Sequence, residues 1–208
     1  MREVAVYIVG LFVLSSGVTL SIRSGLGVSP VSSLPYIISV ILGASVGMVV
    51  AVVMLLLVLV QVMLLRSRFK LANLSQLATS VVFGFFVDFV MLLTRHIMPE
   101  AYWLRAGLLA FSVFLLASGI AIMMQTKITP LPFESMVAAV AHVTGFRFHI
   151  LKVVLDSTFA ASALTLSLLF LGEIHGVREG TILTALFVGR LLPVCGRIFG
   201  PAVRRVLA

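Results

Sequence analysis

Six apolar stretches, each long enough to cross a lipid bilayer as a helix, dominate this chain. A crossing needs about 20 apolar residues, because a helix rises about 1.5 Å per residue and the hydrocarbon layer is about 30 Å thick. The six predicted spans are Val4–Ile22, Ser45–Leu65, Ala72–Leu93, Ala106–Met124, Ile150–Leu171 and Thr181–Ile198. With 61% hydrophobic and only 11% charged residues, the chain lacks the polar surface of a soluble protein. The sequence therefore predicts an all-α integral membrane protein that contacts the lipid bilayer along its length.

The formal net charge of +8 does not indicate a nucleic-acid partner. A nucleic-acid footprint gathers Lys and Arg on one face, often with interleaved aromatic residues. Here the basic residues lie mostly between the apolar stretches. We therefore interpret the positive charge as a determinant of membrane topology and expect no nucleic-acid binding.

Two segments of the chain read as copies of each other. Ser16–Gly43 aligns without a gap onto Ser118–Gly145, so that glycine, proline and serine residues coincide at several positions. Each copy continues a long apolar segment through a Gly/Pro interruption into a short helix, Pro30–Leu42 or Pro132–Thr144. At about 20 Å, these helices are too short to span comfortably. We therefore predict one membrane domain over residues 1–208, built from a first repeat, 1–95, and a second repeat, 104–200.

The positions of Lys and Arg favour inverted repeats. If the two short helices re-enter the membrane, each half has three spans and the halves face in opposite directions; if they cross, each half has four and the halves are parallel. Cytoplasmic loops carry an excess of Lys and Arg. With re-entrant helices and both termini in the cytoplasm, the basic loop Arg66–Lys70 lies inside, as this rule requires. We therefore expect a multi-pass membrane protein with both termini in the cytoplasm and two short broken or re-entrant helices.

The two interruptions predict a site for a polar solute. Backbone groups freed at membrane depth need partners from protein, water or ligand, and the starts of half-helices favour anionic groups. Alternatively, the hydroxyl groups here only cap helix ends, and the short helices lie at the membrane interface. The candidate residues at the two interruptions are Ser29, Pro30, Ser32, Ser33, Thr129 and Pro132.

Ionisable residues inside membrane segments form a second set of candidates, because each is costly in lipid unless it faces protein, water or a partner. This set comprises Asp88, Glu134, Asp156 and Arg190. Asp88 and Arg190 coincide in the register of the repeat, which suggests that they pair, although a register shifted by three residues removes the correspondence. The pair could be a substrate or proton site, or only a structural ion pair.

Further polar residues gather in the second half of the chain. Lys152 and Asp156, four residues apart, share one helix face and suggest a local ion pair. Gln125 and Lys127 lie at the second interruption, where they could contact a carboxylate or phosphate. Lys127 could equally be a cytoplasmic topology charge. If the protein has a solute site, we expect its second half to dominate the chemistry.

The sequence lacks the motifs of the common catalytic and metal sites. It contains no Walker loop, HExxH or GxSxG motif, and no His, Cys and carboxylate cluster at metal-ligand spacing. Its single cysteine, Cys195, excludes an intrachain disulfide, and we expect it to pack as a small apolar residue in the last helix. We therefore expect no enzymatic activity, no cofactor and no metal.

Two segments resemble a known bacterial family. RSGLGVSPVSSLPYIIS, Arg23–Ser39, is similar to the signature segment of the YczE/YitT-like membrane proteins, and GTILTALFVGRLL, Gly180–Leu192, resembles their glycine-containing last helix. The resemblance implies a small polytopic inner-membrane protein, with transport as the usual presumption and no agreed functional residues. The second copy departs from the pattern, since TKITPLP replaces its glycine-rich loop.

These observations favour a secondary transporter or exporter of a small organic or anionic solute, working by alternating access between the two repeats. Because no nucleotide-binding motif is present, the driving force would be an ion gradient, with Asp88, Glu134 or Asp156 carrying the proton and Arg190 acting as counter-ion or substrate clamp. One alternative is the substrate-binding membrane subunit of an energy-coupled importer. Another is a non-transporting scaffold or regulator. A homodimer is plausible for a transporter of this size.

Overall fold

The part of the chain that the structure describes is built from eight α-helices. The computed structural model describes residues 1–69 and 71–207, and no β-strand occurs in that part of the chain. Short 3-10 turns, Arg66–Arg68 and Leu71–Leu74, connect the third and fourth helices; Lys70 of the predicted basic loop lies outside the described residues. The helices are α1 (Arg2–Ser24), α2 (Pro30–Leu42), α3 (Val46–Leu65), α4 (Ser75–Leu93), α5 (Tyr102–Met123), α6 (Pro132–Thr144), α7 (Phe148–Leu171) and α8 (Glu179–Leu207).

The six predicted spans correspond to α1, α3, α4, α5, α7 and α8, which are all long and apolar enough to cross a membrane. The largest differences from the prediction lie at three helix ends. Helix α5 begins at Tyr102 and not at Ala106. Ala72 belongs to a 3-10 turn, so that α4 begins only at Ser75, and α8 continues to Leu207. The fold is that of an all-α, multi-pass membrane protein.

The predicted short helices, α2 and α6, begin and end at the predicted residues. Each starts with a proline, which has no backbone N–H. The first residue of a helix tolerates this loss, because its N–H has no hydrogen-bond partner within the helix. Each ends at a glycine in the left-handed conformation, Gly43 with φ 62° and Gly145 with φ 76°. This conformation terminates helices and costs glycine little.

Helices α1 and α5 cross in opposite directions with their backbones in close contact. A Cβ atom built on Gly17 would lie 2.8 Å from the backbone nitrogen of Leu116. A Cβ atom on Gly119 would lie 2.6 Å from the backbone nitrogen of Leu14. Small residues allow membrane helices to approach in this way, so that backbone packing holds the centre of the bundle together.

The remaining spans follow two opposite directions. Helix α4 is parallel to α1, because Thr19 forms a hydrogen bond with Val87 and Arg23 forms one with Met91. Helix α3 is antiparallel to α4. Helix α8 runs with α5, since Leu109 contacts Gly180 and Ser118 bonds to Cys195. Cys195 is fully buried beside Ala117 and Ala121, as predicted for a small packing residue.

Each short helix connects two long helices at the same end of the bundle. We name the ends by the residues that follow α1 and α5: the Gly25 end and the Gln125 end. Helix α2 connects the end of α1 to the start of α3, and both lie at the Gly25 end. Helix α6 connects the end of α5 to the start of α7, both at the Gln125 end. Each short helix also packs on a long helix from the other half of the chain: α2 packs on α7, and α6 packs on α3.

The two halves differ in how their last two helices pack. Helices α3 and α4 are in backbone contact through Gly47 and Gly84. In the second half α7 packs on α2 and α6 while α8 packs on α5, so that, within the described residues, α7 and α8 lack such close packing. Gly189, in the middle of α8, has open space around it. The last two helices of the first half are therefore in close contact, whereas those of the second half, within the described residues, are not.

Candidate functional site

The two short helices meet at a small cavity in the middle of the bundle. Ser32 and Pro35 of α2 line it together with Phe133 of α6. The remaining lining residues are Val31 of α2, a group from the middle of α3 and Phe159 in the middle of α7. With a volume of about 10 Å³, the cavity barely accommodates a single water. The first turns of α2 and α6 thus approach each other at mid-depth, and the space between them holds at most about one water.

The candidate serines of α2 bond among themselves and to their own helix. Ser29 precedes Pro30, the buried first residue of α2, and its hydroxyl donates to the hydroxyl of Ser32 at 3.1 Å. Ser33 is fully buried and donates to the carbonyl oxygen of Pro30 at 2.6 Å. Of these hydroxyl groups, that of Ser32 belongs to the lining of the cavity.

A charged cluster lies directly beside the cavity in the second half. The Lys152 ammonium is 3.3 Å from Asp156 Oδ2, which confirms that these two residues pair along α7. The same ammonium lies 4.7 Å from the centre of the Phe133 ring, a cation–π contact. Glu134, the next residue of α6, interacts electrostatically with both Lys152 and Asp156. The Lys152 ammonium thus contacts the Asp156 carboxylate and the ring of Phe133, which itself lines the cavity, and Glu134 lies within electrostatic range of both charges.

The start of α6 is held by a pair of buried glutamines. Gln61 Nε2 donates to the carbonyl oxygen of Pro132 at 3.0 Å and to Gln76 Oε1 at 3.2 Å. Both glutamines are almost fully buried, and Gln76 Nε2 has no hydrogen-bond partner among the described residues. We did not predict these residues because we considered only ionisable groups inside the spans. Gln61 was nevertheless visible as the one polar residue in the apolar run of α3.

The remaining candidates of the second interruption lie towards the Gln125 end. The carbonyl oxygen of Thr129 accepts a hydrogen bond from the Tyr7 hydroxyl at 3.1 Å, which ties this loop to α1. Gln125 is half-buried and approaches Gly200 of α8, whereas Lys127 is exposed. Gln125 therefore lies beside α8, whereas Lys152 and Asp156 lie on α7.

Asp88 caps the start of α3. Its Oδ1 accepts a hydrogen bond from the Gly47 backbone N–H at 2.7 Å, and its Oδ2 accepts one from the Ser45 hydroxyl at 2.6 Å. An ionised carboxylate is favourable at this position, because the first N–H groups of a helix are unpaired and its dipole is positive there. Asp88 therefore fastens α4 to α3 next to the contact between Gly47 and Gly84.

The suggested pairing of Asp88 with Arg190 is wrong. Both residues are described, and both oxygens of Asp88 are engaged at the start of α3. Arg190 is exposed on α8 and lies over the Phe187 ring of its own helix, with 6.0 Å between the guanidinium carbon and the ring centre. Residues at corresponding positions of two related halves come together only near the axis that relates them. Helices α4 and α8 lie on opposite sides of the α1–α5 crossing.

Comparison with known proteins places this all-α membrane protein in a family. Residues 1–197 match the model of a family of unknown function, DUF6198, and the chain belongs to that family. It is also 28% identical over 201 residues to the "Uncharacterized protein YyaS" of Bacillus subtilis (strain 168), an alignment that covers 96% of this chain and 92% of that protein. No solved structure matches the chain. Membership of an uncharacterised family agrees with what the sequence resemblance implied, although neither match carries the YczE/YitT designation.

Proposed function

We propose that this protein is a secondary transporter of a small organic or anionic solute, working by alternating access between two inverted halves, 1–95 and 104–200. One observation carries the proposal: Gly17 packs on Leu116 in the same way that Gly119 packs on Leu14. The ungapped register of the two copies equates Gly17 with Gly119 and Leu14 with Leu116. Reciprocal contacts between opposed helices are what a twofold axis in the plane of the membrane produces.

The directions of the other helices support the same relation. In the register of the copies α3 corresponds to α7 and α4 to α8, and in each pair the two helices run in opposite directions. Each short helix packs on a long helix of the opposite half, with α2 on α7 and α6 on α3. Secondary transporters built from inverted repeats place their site where such broken segments meet. In this protein that place is the cavity between Ser32 and Phe133.

The unequal packing of the two halves supports alternating access. In inverted repeats, an exchange of conformation between the halves converts a state open to one side of the membrane into a state open to the other. Here contacts of Gly47, Gly84 and Asp88 hold α3 against α4, whereas α7 and α8, within the described residues, are not closely packed on each other. In the alternative state, α7 and α8 would close around Gly189 while the contact between Gly47 and Gly84 opens.

The cluster of Glu134, Lys152 and Asp156 is the group that we assign to ion coupling. Intramembrane carboxylates beside a cavity are the usual carriers of protons in transporters. A proton on Glu134 would remove one of the two negative charges near the Lys152 ammonium and weaken its hold on α6. The charge state of the cluster would thereby be linked to the packing of α6 on α7.

We also propose that the two termini face the cytoplasm of a bacterial cell and that the protein resides in the cytoplasmic membrane. Both termini lie at the Gln125 end, together with Arg66, Arg68 and Arg147. This concentration of basic residues follows the positive-inside rule. The resemblance to YczE/YitT-like proteins supports transport as the role of the family.

The proposal is tested by electrical recording of proteoliposomes on a solid-supported membrane. The probes are small carboxylates, amino acids and sugar phosphates, each added with and without an imposed proton gradient. For the wild type, we expect at least one solute to produce a current that the gradient increases. Glu134→Gln and Asp156→Asn should lose the dependence on the gradient. The control, Arg190→Gln, should retain it, because Arg190 is exposed and lies over the Phe187 ring of its own helix.

Two results would contradict the proposal. If no probe moves through correctly folded protein, a scaffold or regulator becomes the better account. If transport requires co-purified ATPase subunits, the protein is the binding subunit of an energy-coupled importer. Transport that is indifferent to both carboxylate variants would remove the cluster from the mechanism.

A further inference from the structure

A large cleft opens at the Gly25 end, apart from the cavity between the short helices. Its volume is about 400 Å³, within the range of small-molecule sites, which span about 300–1,000 Å³. The ends of α1 and α4, the loop residues 97–100, the start of α5 and Tyr36 of α2 form its walls. The charged lining residues are Arg23, Glu100 and Arg105, and much of the remaining lining is apolar, including Met91 and Ile97.

The two arginines are held rigidly by backbone groups. Arg23 Nη2 donates to the carbonyl oxygen of Met91 at 2.7 Å. Arg105 donates from Nε to the carbonyl oxygen of Ser24 and from Nη2 to that of Gly25, each at 2.7 Å. A guanidinium has five N–H donors in about one plane, so both side chains keep further donors while their orientation is fixed.

Among the described residues, no carboxylate forms an ion pair with either arginine of the cleft. Both arginines are half-buried, and within the described residues neither lies in an ion pair with a carboxylate. Glu100 lines the same cleft but is exposed and forms no ion pair there. The carbonyl groups at the end of a helix offset only about half a charge. A half-buried cation without a carboxylate partner favours binding of an external anion.

We propose that this cleft binds an organic anion with an apolar body, its carboxylate or phosphate group between Arg23 and Arg105 and its apolar part against Met91 and Ile97. The role as an entry site for the transported solute rests on the proposed function, whereas the binding itself does not. The same headgroup chemistry is offered by a water-soluble organic anion and by an anionic lipid of the adjacent leaflet.

The test is calorimetric titration of the purified protein in a nonionic detergent with n-butyl phosphate, and with n-butanol as the uncharged control. The wild type should bind n-butyl phosphate and not n-butanol. Arg23→Gln and Arg105→Gln should each raise Kd at least about tenfold, the effect of losing a hydrogen bond to a charged group. Arg95→Gln is the matched control, because Arg95 is an exposed arginine of the same end that bonds to His96 and does not line the cleft. It should leave Kd unchanged.

Glu100→Gln keeps the test decisive if the arginine variants fail to fold. Glu100 is exposed and free of ion pairs, so that its replacement should not affect folding. Because it removes the negative charge of the cleft, n-butyl phosphate should bind more tightly, by about threefold or more at low salt. A purely structural role of the arginines predicts no such gain. Absence of binding to the wild type, or binding that is indifferent to Glu100→Gln, overturns the proposal.

Competition distinguishes the two sources of the anion. If dihexanoyl-phosphatidylglycerol displaces n-butyl phosphate and dihexanoyl-phosphatidylcholine does not, the cleft is a lipid headgroup site. If neither displaces it, the cleft takes a soluble anion. Because binding is measured without transport, a cleft that binds in a protein that moves no solute supports this inference and contradicts the transporter. Transport that is unaffected by Arg105→Gln contradicts the role of the cleft as an entry site.

Discussion

The Asp88 cap of α3 allows a stability prediction with a worked magnitude. Asp88→Ala removes hydrogen bonds of 2.7 Å from Gly47 N–H and 2.6 Å from the Ser45 hydroxyl. Hydrogen bonds to charged groups contribute about 1.5–3 kcal/mol each in soluble proteins, but those inside membranes average nearer to about 0.6 kcal/mol. With the interaction between the charge and the helix dipole included, we expect a loss of about 2–3 kcal/mol in the free energy of unfolding.

Asp88→Asn should lose less, about 1 kcal/mol, because an amide oxygen can still accept from Gly47 while the charge is lost. The free energy of unfolding is measured by SDS titration of the protein in mixed micelles, with Glu100→Ala as the control, since that carboxylate is exposed and forms no ion pair. Hydrogen exchange at the Gly47 amide should accelerate in the same order. A loss for Asp88→Ala no larger than that for Glu100→Ala would refute the reasoning.

Two further changes test the packing. Gly84→Ala should destabilise the protein by about 1–3 kcal/mol, because the added Cβ would collide with the Gly47 backbone. Gly189→Ala is the control and should not destabilise the protein, because Gly189 lies in open space on α8. Equal effects of the two changes in the SDS titration would contradict the close contact between Gly47 and Gly84. Gln61→Leu should cost about 1–3 kcal/mol, because it leaves the Pro132 carbonyl and Gln76 without their partner, and Gln61→Glu should recover little of it. Unchanged stability of Gln61→Leu would show that this buried bond is dispensable.

The local features of the fold could be predicted because they are written in neighbouring residues. Proline at the start and glycine after the end define α2 and α6 without any knowledge of packing. The pairing of Lys152 with Asp156 follows from helical spacing alone. The six spans follow from their length and apolar composition.

Features that depend on the placement of helices could not be predicted in this way. The pairing of Asp88 with Arg190 assumed that corresponding positions are neighbours, but α4 and α8 lie on opposite sides of the α1–α5 crossing. The unequal packing of α3 with α4 and of α7 with α8 depends on contacts between separate helices and leaves no periodic signal in the sequence. The cleft of Arg23 and Arg105 joins helix ends that are far apart in sequence, where each arginine taken alone resembles a topology charge.

The central claim is that the two halves are inverted, and corresponding loops test it most directly. Ala44 follows α2 and Phe146 follows α6, at positions that the register of the copies equates. In a Cys195→Ala background, Ala44→Cys and Phe146→Cys are introduced singly and treated with a membrane-impermeant maleimide in intact cells and in inside-out vesicles. The account predicts labelling at position 44 in intact cells only and at position 146 in inside-out vesicles only. Labelling of both positions from the same side would contradict inverted halves.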